Sequence, residues 1–123
     1  MHNYKELKIW QRAMELATQV YKETKGFPKE ELFGLTLQIR RSVVSISSNI
    51  AEGAGRNSNK EFAKFLSISY GSLCELETQV QIALNLGYAE NSAIVPLMKE
   101  MAELQKMIYT MIEKLKGANH DKS

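Results

Sequence analysis

Cysteine, histidine and proline are all scarce in this chain, and each scarcity excludes something. The single cysteine, Cys74, rules out an internal disulfide, and its helical context predicts a small buried hydrophobe and not a nucleophile. The only histidines, His2 and His120, lie near the two ends. They cannot form the Glu-x-x-His pairs of a ferritin-like di-iron bundle, and with one cysteine they cannot complete a structural zinc site within one chain. With only 2 prolines among 123 residues, long uninterrupted helices are possible.

Other absences narrow the reading further. No stretch approaches the ~18 apolar residues of a membrane span, and Met1 to Glu6 has no apolar signal-peptide core. The expectation is therefore a cytoplasmic protein with no membrane association. A net charge of +2, from 16 basic and 14 acidic residues, leaves no basic arm anywhere along the chain. Gly53-Ala54-Gly55 follows a helix and is no dinucleotide fingerprint, and no Gly-Lys-Ser/Thr motif marks a phosphate loop. No cofactor is expected and no reaction can be read. The expectation is a non-enzymatic protein, with Cys74 the sole motive for an enzymatic alternative.

What the chain does have is helical periodicity. Its length fits one domain, residues 1–123, able to bury a core without staples. A first helix is predicted from Tyr4 to about Lys25, capped by Asn3 in a box with Glu6 and stopped by a left-handed Gly26 before Pro28. Leu7, Trp10, Ala13, Met14, Ala17, Val20 and Tyr21 form its core stripe. The second helix starts at or just after Pro28, with Glu30 and Glu31 in its first turn. It buries Leu32, Leu35, Ile39, Val43, Ile46 and Ile50, and ends near Gly53.

Ser58 and Glu61 box the third helix, Asn59 to about Leu86, whose stripe is Phe62, Phe65, Leu66, Ser69, Leu73, Leu76, Val80, Ala83 and Leu84. Asn91 or Ser92 caps the fourth, with Pro96 confined to the first turn. Its stripe runs Ile94, Leu97, Met98, Met101, Leu104, Ile108, Met111, Ile112 and Leu115. The polar tail 118–123 is expected to fray. Four such helices with short connections predict an all-α, up-down-up-down antiparallel four-helix bundle.

A bundle member needs an apolar arc of only about 100°. The second helix carries more, because Phe33, Leu37 and Val44 lie away from its core stripe. On the third helix Ile68, Ile82 and Leu86 do the same. Scattered apolar residues on a surface are ordinary. The alternative is that another subunit covers these six, which makes them the candidate oligomer interface.

The least generic stretch is Gln38 to Arg56. Ser42, Ser45, Asn49 and Glu52 share one flank of the second helix, where small side chains allow close helix approach. Arg40, Arg41 and Arg56, with Lys60 and Lys64 on the next helix, are candidate contacts to an anionic polymer, RNA or DNA, because guanidinium groups offer paired donors to phosphate. The competing role for Arg40 and Arg41 is ion pairing with glutamates such as Glu75 or Glu52.

The pattern Leu35-Thr36-x-Gln38-Ile39-Arg40-Arg41-Ser42-x-x-Ser45-Ile46-x-x-Asn49-Ile50-Ala51-Glu52-Gly53 resembles the signature of the four-helix-bundle proteins encoded in 23S ribosomal RNA intervening sequences. Trp10-Gln11, Ala13, Phe27-Pro28, Gly71-Ser72-x-x-Glu75-Leu76-Glu77 and Leu86-Gly87-Tyr88 extend the resemblance from about Tyr4 to Lys116. It implies a bundle that assembles into a homopentameric ring. It also implies kinship with the accessory variability determinant of diversity-generating retroelements, which binds nucleic acid and partners a reverse transcriptase. Those retroelement proteins are strongly basic, and this chain at +2 departs from them. The resulting expectation is a homo-oligomeric nucleic-acid-binding accessory factor. The alternative is a protein-binding scaffold with no nucleic-acid role.

Overall fold

A computed structural model describes residues 2–121, with side chains through Ala118. Four helices, α1 (Lys8–Thr24), α2 (Leu35–Ala54), α3 (Asn59–Asn85) and α4 (Asn91–Asp121), form the antiparallel bundle expected from the periodicity. Each packs on its two neighbours in a closed square, and among the described residues no diagonal pair touches. Ile39, Val43, Ile46 and Ile50 of α2, Leu66, Leu73 and Leu76 of α3, and Met101, Leu104 and Ile108 of α4 belong to one core, all without solvent contact. Full burial of each large aliphatic side chain contributes about 1.5–3 kcal/mol.

α1 departs from the sequence reading in both start and phase. Tyr4–Glu6 is a separate 3-10 turn, and extended Leu7 breaks the chain before α1 begins. Asn3 Oδ1 accepts from Lys5 N (3.3 Å), while Glu6 N donates to the Asn3 carbonyl (3.1 Å), so the expected box with the Glu6 carboxylate is not made. The buried stripe is Ile9, Ala13, Leu16, Val20 and Thr24. Met14 (42% exposed) and Tyr21 (40%) face outward, and Leu7, Trp10 and Ala17 only flank the core. Two adjacent apolar stripes run along this helix, and contact with α2 and α4 selects the one through Leu16.

The helix ends also differ. Gly26 is not left-handed, because the only glycine of positive φ among the described residues is Gly87 (75°). α1 stops instead where Phe27 turns in to pack on the Tyr88 ring, 5.9 Å between centroids, and Pro28 follows. Lys29–Glu31 form a second 3-10 turn, so α2 begins only at Leu35 and Leu32 is left 47% exposed. Glu31 still serves the α2 N-terminus: its Oε1 accepts from Leu35 N at 3.2 Å. Its Oε2 accepts from the Tyr88 hydroxyl at 2.9 Å, which raises the Tyr88 pKa, with burial adding to the effect.

Ser58 Oγ caps α3 through Glu61 N (3.1 Å). α3 closes in a Schellman arrangement, with Gly87 N donating to Leu84 O and Tyr88 N to Ala83 O, both at 3.0 Å. α4 starts at Asn91, one residue early, because Glu90 O accepts from Ala93 N and Ile94 N; Pro96 therefore sits in the second turn. Its helical backbone continues past Gly117 to Asp121. The frayed tail expected at 118–123 lies partly outside the described residues. No helix among the described residues is long and apolar enough to cross a membrane.

Candidate interaction surface on the second and third helices

α2 and α3 make the closest seam in the bundle, and small residues make it possible. Ser69, fully buried, donates its hydroxyl to the Ile46 carbonyl at 2.8 Å. Ser45 and Ser72 share a hydrogen bond of 2.9 Å, and Asn49 Nδ2 donates to both the carbonyl (2.8 Å) and the hydroxyl (3.0 Å) of Ser45. Ser45 and Asn49 thus serve the close approach expected of them, and Ser42 is buried on the same flank. α2 ends at Ala54, next to Gly53 as expected, but Gly53 has a further role. A Cβ on it would lie 2.7 Å from Phe65 Cβ and 3.0 Å from Phe62 Cδ1, so the glycine is needed where α3 crosses.

These bonds set the antiparallel register. Residues whose numbers sum to about 116 lie at one level, as Ser45 and Ser72 or Ile46 and Ser69 do. Leu37, Arg41, Val44 and Ser48 step along the side of α2 opposite its core stripe, and Ile68, Glu75, Ile82 and Leu86 do so on α3. Arg41 and Glu75 come to the same level, both exposed, and make no ion pair with each other.

The six candidate interface residues are mostly open to solvent. Phe33 is 87% exposed, Leu86 55%, Ile68 45%, Ile82 44% and Val44 42%; Leu37 is half-buried. Phe33 lies in the short segment ahead of α2.

The five candidate nucleic-acid contacts are not one cluster. Arg40 faces α1: its Nε donates to Thr24 Oγ1 at 2.9 Å and its guanidinium lies 4.8 Å from the Tyr21 ring centroid. Neither Glu75 nor Glu52 pairs with it. Arg56 pairs with Glu52 at 2.6 Å and lies over the Phe65 ring at 4.7 Å. Arg41, Lys60 and Lys64 are exposed and without an ion pair among the described residues. Arg56, Lys60 and Lys64 gather at the α2–α3 turn. Arg40 and Arg41 sit roughly 20 Å further along the axis at 1.5 Å rise per residue.

Two features escaped the sequence reading. Cys74 is exposed, not buried, because it falls outside the α3 stripe defined by Leu73, Leu76 and Val80. Arg12 of α1 grips Glu100 of α4 in a two-pronged pair, both bonds 2.8 Å, and that hydrogen bonding holds its guanidinium pKa above the ordinary value. Their separation of 88 residues gives no local signal. Among the described residues no group of three or more His, Cys, Asp or Glu is placed to hold a metal ion.

The geometry has a solved counterpart. The crystal structure of a protein of unknown function from the S23 ribosomal protein family of Bacteroides thetaiotaomicron superposes with a TM-score of 0.79 at 23% identity, covering 85% of this chain and 95% of that one. That likeness concerns the fold. No curated protein sequence matches the chain. The sequence profile of the 23S rRNA-intervening sequence proteins matches residues 5–110. With that span covering most of the bundle, the chain belongs to the 23S rRNA-intervening sequence protein family.

Proposed function

We propose that the protein is a non-enzymatic, self-associating bundle whose copies pack through the outer face of α2 and α3. The observation that supports this is the apolar set Val44, Ile68, Ile82 and Leu86, each more than 40% exposed on those two helices. A second copy is the occupant that fits, because the face is self-complementary in charge. Arg41 and Glu75 lie at one level, without an ion pair among the described residues and bordered by apolar residues. The resemblance described above supports a closed homopentameric ring.

Such an assembly repeats Arg41, Arg56, Lys60 and Lys64 once per subunit and so multiplies phosphate contacts along an RNA or DNA backbone. Arg40, held by Thr24 and Tyr21, acts here as a clamp within the subunit. A reverse transcriptase as protein partner is supported by the resemblance alone. The second reading is a protein-binding scaffold without a nucleic-acid role. It is favoured by the engagement of Arg40 and Arg56 within the chain and by the net charge of +2.

Sedimentation velocity at micromolar concentration tests the assembly. The wild type sediments as an oligomer, and a Val44→Glu/Ile82→Glu protein sediments as a folded monomer; a monomeric wild type refutes the reading. RNA and DNA titrations across a salt series test the second step. Affinity that falls with salt and is lost in Arg41→Glu/Lys60→Glu/Lys64→Glu supports nucleic-acid binding. No binding at low salt leaves the scaffold reading standing.

A further inference from the structure

α4 has 31 residues and α1 has 17. The mismatch falls at one end. Arg12 meets Glu100 and, with Nη1 at 3.1 Å, the Met107 sulfur, so the start of α1 at Lys8 lies level with about Met107. Beyond that level α4 runs on while extended Leu7 directs the chain away, and the Tyr4–Glu6 turn packs on α1 and α2 and not on α4. The flank of α4 that α1 covers higher up is only partly covered here, with Met107 and Met111 half-buried.

The result is a groove of about 380 Å³, lined by Leu7, Ile9, Met107 and Met111 with Thr110, and bordered by Lys8, Lys106 and Lys114. That volume is within the usual range of small-molecule sites, which are apolar with a few polar groups that fix orientation. The lysines are exposed and make no ion pair among the described residues. The nearby acids do not close it: Glu100 is held by Arg12, and Glu103 and Glu113 are not part of the lining. Methionines give such a floor an adaptable surface.

We propose that this groove binds a free single-chain anionic amphiphile, with the carboxylate or phosphate head at Lys8 and Lys106 and the acyl chain along Met107 and Met111 toward Lys114. The alkyl chain replaces the contacts that a longer α1 would make, and the head meets the ammonium groups of Lys8 and Lys106, which have no acidic partner among the described residues. The site is separate from the outer face of α2 and α3 and does not depend on self-association.

The test uses the whole protein, with methionine methyl groups observed by NMR during titration with octanoate, decanoate, decyl phosphate and decyltrimethylammonium below their micelle thresholds. Saturable decanoate binding that moves the Met107 and Met111 methyls is expected. Decanoate should bind about fifteenfold more tightly than octanoate, the conversion of ~0.8 kcal/mol for each of its two additional buried methylenes. Decyl phosphate should bind like decanoate and the ammonium at least about tenfold more weakly. Thr110→Trp, which fills the groove, should abolish binding. Lys8→Glu/Lys106→Glu/Lys114→Glu should weaken it about tenfold or more with an unchanged urea midpoint. The proposal is overturned by any of four results: no saturation below the micelle threshold, equal affinity for the ammonium, shifts spread over methionines outside the groove, or undiminished binding by Thr110→Trp. Capture by anionic phospholipid vesicles without binding of free decanoate also overturns it, since the ligand is then a membrane surface.

Discussion

Replacing Gly53 by alanine should destabilise the bundle, although the same change in an open helix stabilises. Glycine inside a helix costs about 0.5–1 kcal/mol relative to alanine, so propensity alone favours the substitution. At Gly53 the new methyl would meet Phe65 Cβ at 2.7 Å, Phe62 Cδ1 at 3.0 Å and Phe62 O at 3.3 Å. Phe65 Cβ is joined directly to the backbone and cannot swing aside, and Phe62 is only 1% exposed. Relief requires α3 to move away from α2, stretching the Ser69–Ile46 and Ser45–Ser72 bonds. Overpacking of this kind costs about 1–3 kcal/mol, and with a backbone-attached Cβ as the obstacle the middle of that range outweighs the propensity gain, for a net loss of about 1 kcal/mol. Gly71, in the middle of α3, is the control, because nothing lies within 4 Å of its added Cβ. Gly71→Ala should gain about 0.5–1 kcal/mol. Urea unfolding at several protein concentrations separates these changes from any effect of assembly on apparent stability. Equal or greater stability of Gly53→Ala would refute the claim that glycine is required by the helix crossing.

Arg40→Ala should lower stability by about 1 kcal/mol, through the lost bond to Thr24 and the lost stack on Tyr21. Arg41→Ala should stay within about 0.5 kcal/mol. Unchanged urea midpoints for both would remove the structural role assigned to Arg40. Tyr88 gives a pH signature. Its folded pKa is raised above the ordinary value, chiefly because it donates to Glu31. The bond's contribution is therefore complete below about pH 10, the unfolded value, and is lost as pH rises through the raised folded value. The stability difference between wild type and Tyr88→Phe should be constant near neutrality and shrink in alkali; a difference that grows there would contradict the assignment.

Much of this protein is legible in its sequence, and the reason is length. α2, α3 and α4 each carry a stripe long enough for the period of 3.6 to identify the buried face. Leu66, Leu73 and Leu76, or Leu104 and Ile108, cannot face water without exposing a continuous apolar row. The α3 ends were also legible, since their caps at Ser58 and Gly87 close through bonds that span three to five positions. α1 is harder because Trp10, Met14 and Tyr21 compete with Ile9 and Leu16 as a second apolar row, and only packing against α2 and α4 decides between them.

The candidate site was legible as a set of residues and not as an arrangement. Arg40 and Arg41 are neighbours in sequence, yet one hundred degrees of helical rotation gives the first to Thr24 and Tyr21 and leaves the second free on the outer face. Gly53 reads as a stop and acts as a crossing point, because its constraint comes from Phe62 and Phe65 on another helix. Local periodicity and capping by themselves determined that the chain makes four helices and which faces of three of them are buried. Only the tertiary structure decided the phase of α1, the pairing of Arg12 with Glu100 and the partly uncovered flank of α4. Each of those depends on which residues distant in sequence come within a few ångströms, and helical spacing contains no record of that.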